Sequence, residues 1–389
     1  MNKIRYGIVG VGNQGSYYAR LFKENKVTNG CLVAVCDINE SKLDNLRRLF
    51  NDEIKYFNNH LELLNSNLCD AIIIVTPHYF HPSIAIDAFK KDVSVILDKP
   101  AGVYTKQVKE MNEVSKNSKA KFTMMFNQRT NSLYRKMKEM IDNKEIGELQ
   151  RVSWIITDWF RTESYYRNGS WRATWQGEGG GVLINQCPHQ LDLLQWIVGL
   201  PKKVNAFCHY GKWHDIEVED DVTAYLEFSN GATGVFITTT GEAPGTNRFE
   251  VSGSKGKLIV ENNTLLFYKN ELDNIEVCKN SDKGFDTPAI NVIKVETDNK
   301  NEQHKGIIQN FTNHLLNKED LFVDGKEGIR NVELINAIEL SGFNNGKEVY
   351  LPVDEDEYLF ELNKRIKTSR LKEVSEDKVM DVSNSFGVK

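Results

Sequence analysis

The chain reads as an α/β protein in two parts. A doubly wound parallel sheet comes first, followed by an α+β domain with a large, open, mainly antiparallel sheet. Three observations predict this. Over roughly the first 125 residues, short apolar runs alternate with amphipathic segments, the pattern of a parallel sheet covered on both faces. A glycine-rich turn joins the first run to the first amphipathic segment. Further on, strand-like runs follow one another, several of them separated by turn signals such as "SNGA" and "SGSKGK".

Taken in order, "KIRYGIVG" is a strand and residues 14–25 a helix, with "CLVAVCD" at 31–37 the second strand. "NESKLDNLRRLF" has helical spacing, and "DAIIIVT" at 70–76 is a third strand. A helix over 80–91, the strand "VSVILD", a helix over 105–118 and the strand "KFTMMF" close the set. The expected partition is 1–126 for the first domain, 127–363 for the second, and a charged, mobile tail over 364–389. Within the second domain a helix is expected near 131–143. Strands are expected at 148–161, 203–210, 219–229, 233–240, 247–252, 257–261 and 264–268. A helix at 188–198 interrupts them, with Pro188 at its first position and Gly199 at its end. Helices return at 304–317 and 326–345.

Composition narrows the function. The chain carries 49 basic and 54 acidic residues for a net charge of -5, and no basic stripe, which argues against a nucleic-acid partner. No apolar run approaches the roughly 18–20 residues of a membrane span, and the start enters a strand at once, without the pattern of a secretory leader. Six scattered cysteines include no CxxC pair, so neither a disulfide framework nor a zinc cage is expected. Eight histidines show no ligand spacing, and no metal is expected. The expectation is a reduced, cytoplasmic protein.

The cofactor end is carried by "GIVGVGNQGSYYARLF". Gly10, Gly12 and Gly15 fall in G-x-G-x-x-G spacing after a strand and at the opening of a helix. Such a turn lets the backbone approach a pyrophosphate at the helix N-terminus, with Asn13 and Gln14 in the first turn. Asp37 ends the second strand, 22 residues after Gly15, where an acid accepts bonds from both ribose hydroxyls and repels the extra phosphate of NADP. NAD is therefore the expected cofactor, with Ile38 beside it. Thr76, Pro77, His78 and His81 in "TPHYFHP" follow the third strand at a carboxyl edge, where such sheets bind ligands. The two histidines read equally well as loop or cap residues. Asp98, Lys99, Gln128, Trp171 and Arg172 complete the expected cofactor set.

The chemistry end has three pieces. Lys99 ends the strand in "SVILDKPAG", and Pro100 restricts its backbone. An ammonium there stabilises negative charge on an alcohol oxygen as its proton leaves. Alone, it also reads as an exposed lysine beside Asp98. The second piece is "GEGGGVLINQCPHQLDLLQW", whose three glycines let the backbone pass close to something. His189 sits in the first turn of the helix that Pro188 opens. Asp192 follows at i+3 to orient it, and Asn185 is placed to hold a substrate hydroxyl. The third is "WFRTESYYRNGSWRATWQGE", rich in aromatic and arginine side chains suited to sugar faces and hydroxyls. Arg161, Tyr165, Trp171, Arg172 and Trp175 are its expected substrate contacts.

Together, "GVGNQG", "TPHYFH", "LDKPAG" and "GGGVLINQCPHQLD" resemble the Gfo/Idh/MocA oxidoreductases over nearly the whole chain except the tail. The resemblance implies a Rossmann domain, and a second domain whose sheet is often buried in a dimer or tetramer. It implies that Lys99 and His189 are catalytic. Asp98 stands where the family usually has glutamate, and Asn185 where it often has aspartate. The implied activity is NAD-dependent hydride transfer at a ring hydroxyl of a sugar, glycoside or cyclitol. Two alternatives are a glycoside-cleaving enzyme with no net redox change and a non-catalytic sugar sensor.

Overall fold

The structure, a computed structural model, describes residues 3–372. The first lobe comprises β1 (Ile4–Val9), α1 (Asn13–Lys23), β2 (Gly30–Cys36), α2 (Glu40–Phe50), β3 (Lys55–Phe57), α3 (His60–Asn65), β4 (Ala71–Ile74), α4 (His81–Phe89), β5 (Ser94–Leu97), α5 (Thr105–Lys116) and β6 (Phe122–Met124). Its sheet is parallel throughout in the order β3-β2-β1-β4-β5-β6, and β4 and β5 are buried along their whole length. Strands covered by helices on both faces must be continuously apolar, which is what "AIII" and "VIL" supply. The register aligns the strand ends: Val9 lies beside Cys36 and Ile74, Ile74 beside Leu97, and Leu97 beside Met124. The loops after β1, β2, β4 and β5 therefore open on one edge, with the reversal of strand order between β1 and β4.

The second lobe holds α6 (Ser132–Asp142), β7 (Leu149–Ile156), α7 (Glu163–Arg167), α8 (Pro188–Val198), β8 (Lys203–Tyr210), β9 (Glu219–Glu227), β10 (Thr233–Thr239), β11 (Asn247–Gly253), β12 (Gly256–Glu261), β13 (Thr264–Asn270), α9 (Asn274–Asn280) and β14 (Ile290–Lys294). Then follow α10 (Gln303–Leu315), α11 (Gly328–Phe343), β15 (Val349–Tyr350) and α12 (Glu355–Thr368). The nine strands run β14-β13-β12-β11-β7-β10-β9-β8-β15, antiparallel except for the β7–β10 pair. Alternation places Val152, Trp154, Ile156, Val222, Ala224, Phe236 and Phe249 in the core. There Trp154 stacks on Phe249 with centroids 4.1 Å apart. The opposite face leaves Phe207 58 % and Tyr225 41 % exposed.

Several expectations need correction. The strand expected to reach 161 ends at Ile156, because Thr157 turns its backbone and hydroxyl onto Thr246 and the chain leaves the sheet. The aromatic loop contains a helix, α7, and β3, α3, α9, β14 and β15 are short elements whose pattern is too brief to read. The partition at 126/127 is crossed in space. α10 returns to the first lobe, where Ile307, Ile308 and Phe311 join its core and Thr312 bonds the buried Tyr6 hydroxyl. The tail boundary at 363 falls inside α12. Beyond it, Ser369 bonds Gln176 and Glu217, and Lys372 bonds Ser170 and Tyr166. The rest of the expected tail, from residue 373, lies outside the described residues. Among the described residues, no helix is long and apolar enough to cross a membrane.

Candidate active site

The edge opened by the parallel sheet is shaped first by backbone. Gly10 has φ +93°, and a side chain there would meet the Val75 carbonyl; one at Gly15 would meet the carbonyl of Gly10. Both glycines let β1, β4 and α1 close together. Gly12, the N-cap of α1, faces open space instead, and the first turn of α1 carries no acidic residue. An amide-lined helix start without a competing carboxylate fits a pyrophosphate. Asp37 accepts from Val11 N at 2.8 Å and Asn39 N at 2.9 Å, one bond per carboxylate oxygen, so each keeps acceptor capacity for a ribose hydroxyl. Ile38 beside it is 93 % exposed. The Thr76 hydroxyl is buried with no hydrogen-bond partner among the described residues, an orphan a ligand would satisfy. These residues fit a dinucleotide.

Two residues of this edge are structural. The His81 nitrogens lie 2.7 Å from the carbonyls of Pro100 and Thr76, tying the β4 and β5 loops together. Asp98 is buried beneath the edge, accepting from the Tyr18 hydroxyl at 2.9 Å and from Lys99 N at 2.8 Å. Both support the loop that carries Lys99. Gln128 bonds Gln303, the first residue of α10. His78 turns the other way, towards the second lobe. Its Nδ1 lies 3.1 Å from the Glu178 carbonyl, and its ring meets Trp171 edge-on at 5.9 Å.

Lys99 crosses between the lobes. The Lys99–Pro100 peptide is cis, and Lys99 Nζ donates to the backbone carbonyl of Asn185 at 2.7 Å. Asn185 lies just before α8, so the lysine is held against the loop that launches His189. Burial lowers the Lys99 pKa, and the charges of Asp98 and Glu178 oppose that shift. His189 is 3 % exposed, and burial together with the Lys99 charge holds it well below the usual histidine range. The same charge acts on His78, and on His304 of α10, which burial pushes down to about 3. With His81, likewise lowered by burial and by the Lys99 charge, four neutral imidazoles lie within the field of one ammonium.

Asp192 does not stand behind His189. Its carboxylate takes a bidentate pair from Arg129 at 2.7 and 2.8 Å and a further bond from Gln195 at 2.9 Å. Arg129 also reaches Glu327 at 2.7 Å. Both Arg129 and Asp192 are about 1 % exposed, so this pair fastens α8 to the segment after β6. The glycine-rich loop before α8 is held the same way, by carboxylates. Glu219 accepts from Gly181 N at 2.9 Å and Leu183 N at 3.0 Å, and a side chain at Gly180 would strike Glu339. Burial pushes Glu219 up to about 7.

The aromatic loop divides. Trp175 is core: its indole donates to the Glu217 carbonyl at 2.8 Å and its ring meets Tyr210 and Phe343, so its expected substrate role is withdrawn. Tyr165 faces the Asn185 side, its hydroxyl 3.4 Å from Asn185 Oδ1. That hydroxyl receives Arg172 Nη1 at 2.8 Å and Gln186 Nε2 at 3.1 Å. Arg161 and Arg172 lie over the Tyr165 ring at 5.2 and 4.5 Å, and Arg172 also over Trp171 at 4.7 Å. Sequence reasoning missed Arg129, Glu178, Glu219 and His304. All four are buried polar residues; the partners of Arg129, Glu219 and His304 lie far along the chain, whereas Glu178, beside the glycine run, bonds Ala173 and Asn185, five and seven residues away.

A parallel sheet in 3-2-1-4-5-6 order, a glycine turn at its switch point and a lysine reaching a second lobe define a two-domain, dinucleotide-binding oxidoreductase. Residues 4–126 match the family model for the NAD-binding Rossmann fold of the oxidoreductase family, and residues 134–259 match the GFO/IDH/MocA C-terminal domain. The chain belongs to the Gfo/Idh/MocA family. It is 25 % identical to a myo-inositol 2-dehydrogenase of Thermotoga maritima, covering 67 % of this chain and 75 % of the relative. It is 24 % identical to the scyllo-inositol 2-dehydrogenase (NAD(+)) of Bacillus subtilis, covering 67 % and 74 %. The WlbA dehydrogenase from Bordetella pertussis, solved with NADH and UDP-GlcNAcA, superimposes with a TM-score of 0.77 at 24 % identity, covering 91 % of this chain and 99 % of that one. This chain is an NAD-binding oxidoreductase.

Proposed function

We propose that the chain transfers hydride between a ring hydroxyl of a sugar, glycoside or cyclitol and NAD, with Lys99, His189 and Asn185 acting on that hydroxyl. The observation that carries this reading is the 2.7 Å bond from Lys99 Nζ to the Asn185 carbonyl, at the loop that leads into His189. Bound NAD supplies the hydride acceptor. Gly12 and the first turn of α1, Asp37 and Thr76 would hold it, with Ile38 at its rim. The Lys99 ammonium stabilises the alcohol oxygen as negative charge develops there. His189, kept neutral at pH 7, is in the form that accepts the hydroxyl proton on a ring nitrogen. Asn185 orients the hydroxyl, and Tyr165, Trp171, Arg161 and Arg172 line the substrate side. The relatives named as inositol dehydrogenases support a cyclitol or sugar.

We also propose a homo-oligomer that covers the open face of the large sheet, where Phe207 and Tyr225 are exposed. A cytoplasmic location is supported by six free cysteines. The test is a panel of inositols, free sugars, uronates and glycosides with NAD and NADP, read for reduced nicotinamide and for released sugar. NADH formed in step with an oxidised polyol is expected. Sugar release without net NADH would favour the glycoside-cleaving reading, and neither signal across the panel would favour a sensor.

A further inference from the structure

Glu178 lies at the floor of the crevice, 1 % exposed. Its Oε1 accepts from Asn185 Nδ2, its Oε2 accepts from Ala173 N at 2.6 Å, and Arg172 Nη1 stands 3.9 Å from Oε1. Ala173 itself sits at φ +54°, so the carboxylate pins a left-handed turn of the aromatic loop. We infer that Glu178 is a positioning residue for the reaction: it turns the Asn185 amide so that Oδ1 faces the substrate, and, gripping the residue whose carbonyl Lys99 holds, it acts beside Asp98 as a second counter-ion to that ammonium. This deepens the proposed function and rests on its reading of Lys99.

The first half follows from donor and acceptor chemistry. Burial raises the Glu178 pKa, and the Arg172 charge with the bonds from Ala173 N and the Asn185 amide opposes that; as a carboxylate it only accepts, so Asn185 gives it the NH2 end. Oδ1 is then directed to the Tyr165 hydroxyl at 3.4 Å, on the side lined by Tyr165, Arg172 and Gln186. A site presenting a carbonyl oxygen at that point selects a hydrogen-bond donor, an alcohol and not a keto or carboxylate oxygen.

The second half follows from a charge inventory. The groups acting on the Lys99 ammonium are Asp98 on its own strand end and Glu178, Arg172 and Cys187 from the second lobe. Lys99 in turn acts on His78, His81, His189 and His304, all held neutral by burial. Two cations therefore face two anions. Asp98 already accepts from Tyr18 and from the Lys99 amide, whereas Glu178 holds the two sides of Asn185 in register: Lys99 takes its carbonyl and Glu178 its amide. Removing the Glu178 charge leaves the buried ammonium with Asp98 alone against the Arg172 guanidinium, which favours loss of its proton.

The test reads the Lys99 charge directly. Full-length wild type and Glu178→Gln, which keeps the side-chain shape, are trace-labelled with acetic anhydride between pH 6 and 11. Acetylation of Lys99 is followed by peptide mass spectrometry, with Lys23 and Lys90 as internal references. The midpoint of Lys99 labelling should fall by about one pH unit in Glu178→Gln while the reference lysines stay put. On the best panel substrate at saturating NAD, KM should rise about tenfold as the Asn185 amide becomes free to flip. An unchanged Lys99 midpoint overturns the inference. Should Glu178→Gln not fold, Glu178→Met, which also removes the charge, is read instead: the same fall of the Lys99 midpoint supports the inference, and an unchanged midpoint overturns it. Labelling reports charge and not turnover, so loss of the Lys99 catalytic role would appear separately, as an active Lys99→Ala enzyme.

Discussion

The two sides of the crevice are built by different means. On the first lobe the binding edge is made of backbone: glycines that let three elements meet, a helix start, and strand ends held in register by a parallel ladder. On the second lobe the facing wall is held by buried charge. Arg129 and Asp192 fasten α8, Glu219 holds the glycine-rich loop by its backbone amides, and Glu178 grips Asn185. Lys99 is where the two meet, an ammonium from the first wall docked on a carbonyl of the second. Backbone sites tolerate side-chain changes away from their few glycines. Charge-built walls do not, because every buried ion left without its partner costs several kcal/mol.

That contrast can be broken at four points. Lys99→Ala removes the group that spans the crevice. Turnover on the best panel substrate should fall about a thousandfold while NAD affinity stays within a few-fold, as read by nucleotide titration. Turnover within a few-fold of wild type would remove Lys99 from the chemistry. Next, Arg129→Met strands the buried Asp192 carboxylate and should lower unfolding free energy by about 3–5 kcal/mol in urea titration. The double variant with Asp192→Leu should recover most of that loss, since the one carboxylate then left without Arg129 is Glu327, which reaches solvent. On the backbone side, Asp37→Ala should weaken NAD binding by about 10–100-fold without lowering turnover at saturating NAD.

The smallest effect is one of pH. Burial raises Glu219 from the ordinary 4.5 to about 7, so between those values the folded chain holds a proton that the unfolded chain releases. Its stabilising contribution is complete below the ordinary value and is lost as pH rises through about 7. Thermal midpoints of wild type should therefore drop from pH 6 to pH 8 relative to those of Glu219→Gln, which cannot ionise. Parallel pH profiles for the two proteins would show that Glu219 titrates like an exposed acid.

How far each wall could be read from the sequence follows the same division. The glycine turn, Asp37 and the strand ends are local patterns. So is α8, which spans Pro188–Val198 as expected, because a proline at N1 and a glycine at the C-cap punctuate it from within. Asp192 was misassigned because i+3 spacing suggested His189 as its partner, whereas its true partner, Arg129, lies 63 residues upstream in sequence. Trp175 looked like a sugar platform within a run of aromatic residues, and only the Glu217 carbonyl and the Tyr210 and Phe343 rings reveal it as core. His304 was unreadable for a topological reason: α10 comes back to the first lobe, and its ring lands on Tyr17 and Tyr18 of α1. Pairings set by the return of a distant helix leave no trace in spacing.

The central claim is that Lys99 and His189 serve one hydroxyl. The most direct measurement is a double-mutant cycle on kcat/KM, with Lys99→Ala, His189→Ala and the pair, using the best panel substrate and saturating NAD. Two groups acting on the same oxygen and its proton are not additive. The double variant should lie within about tenfold of the worse single variant. Losses that multiply, each group costing as much in the absence of the other, would contradict the account.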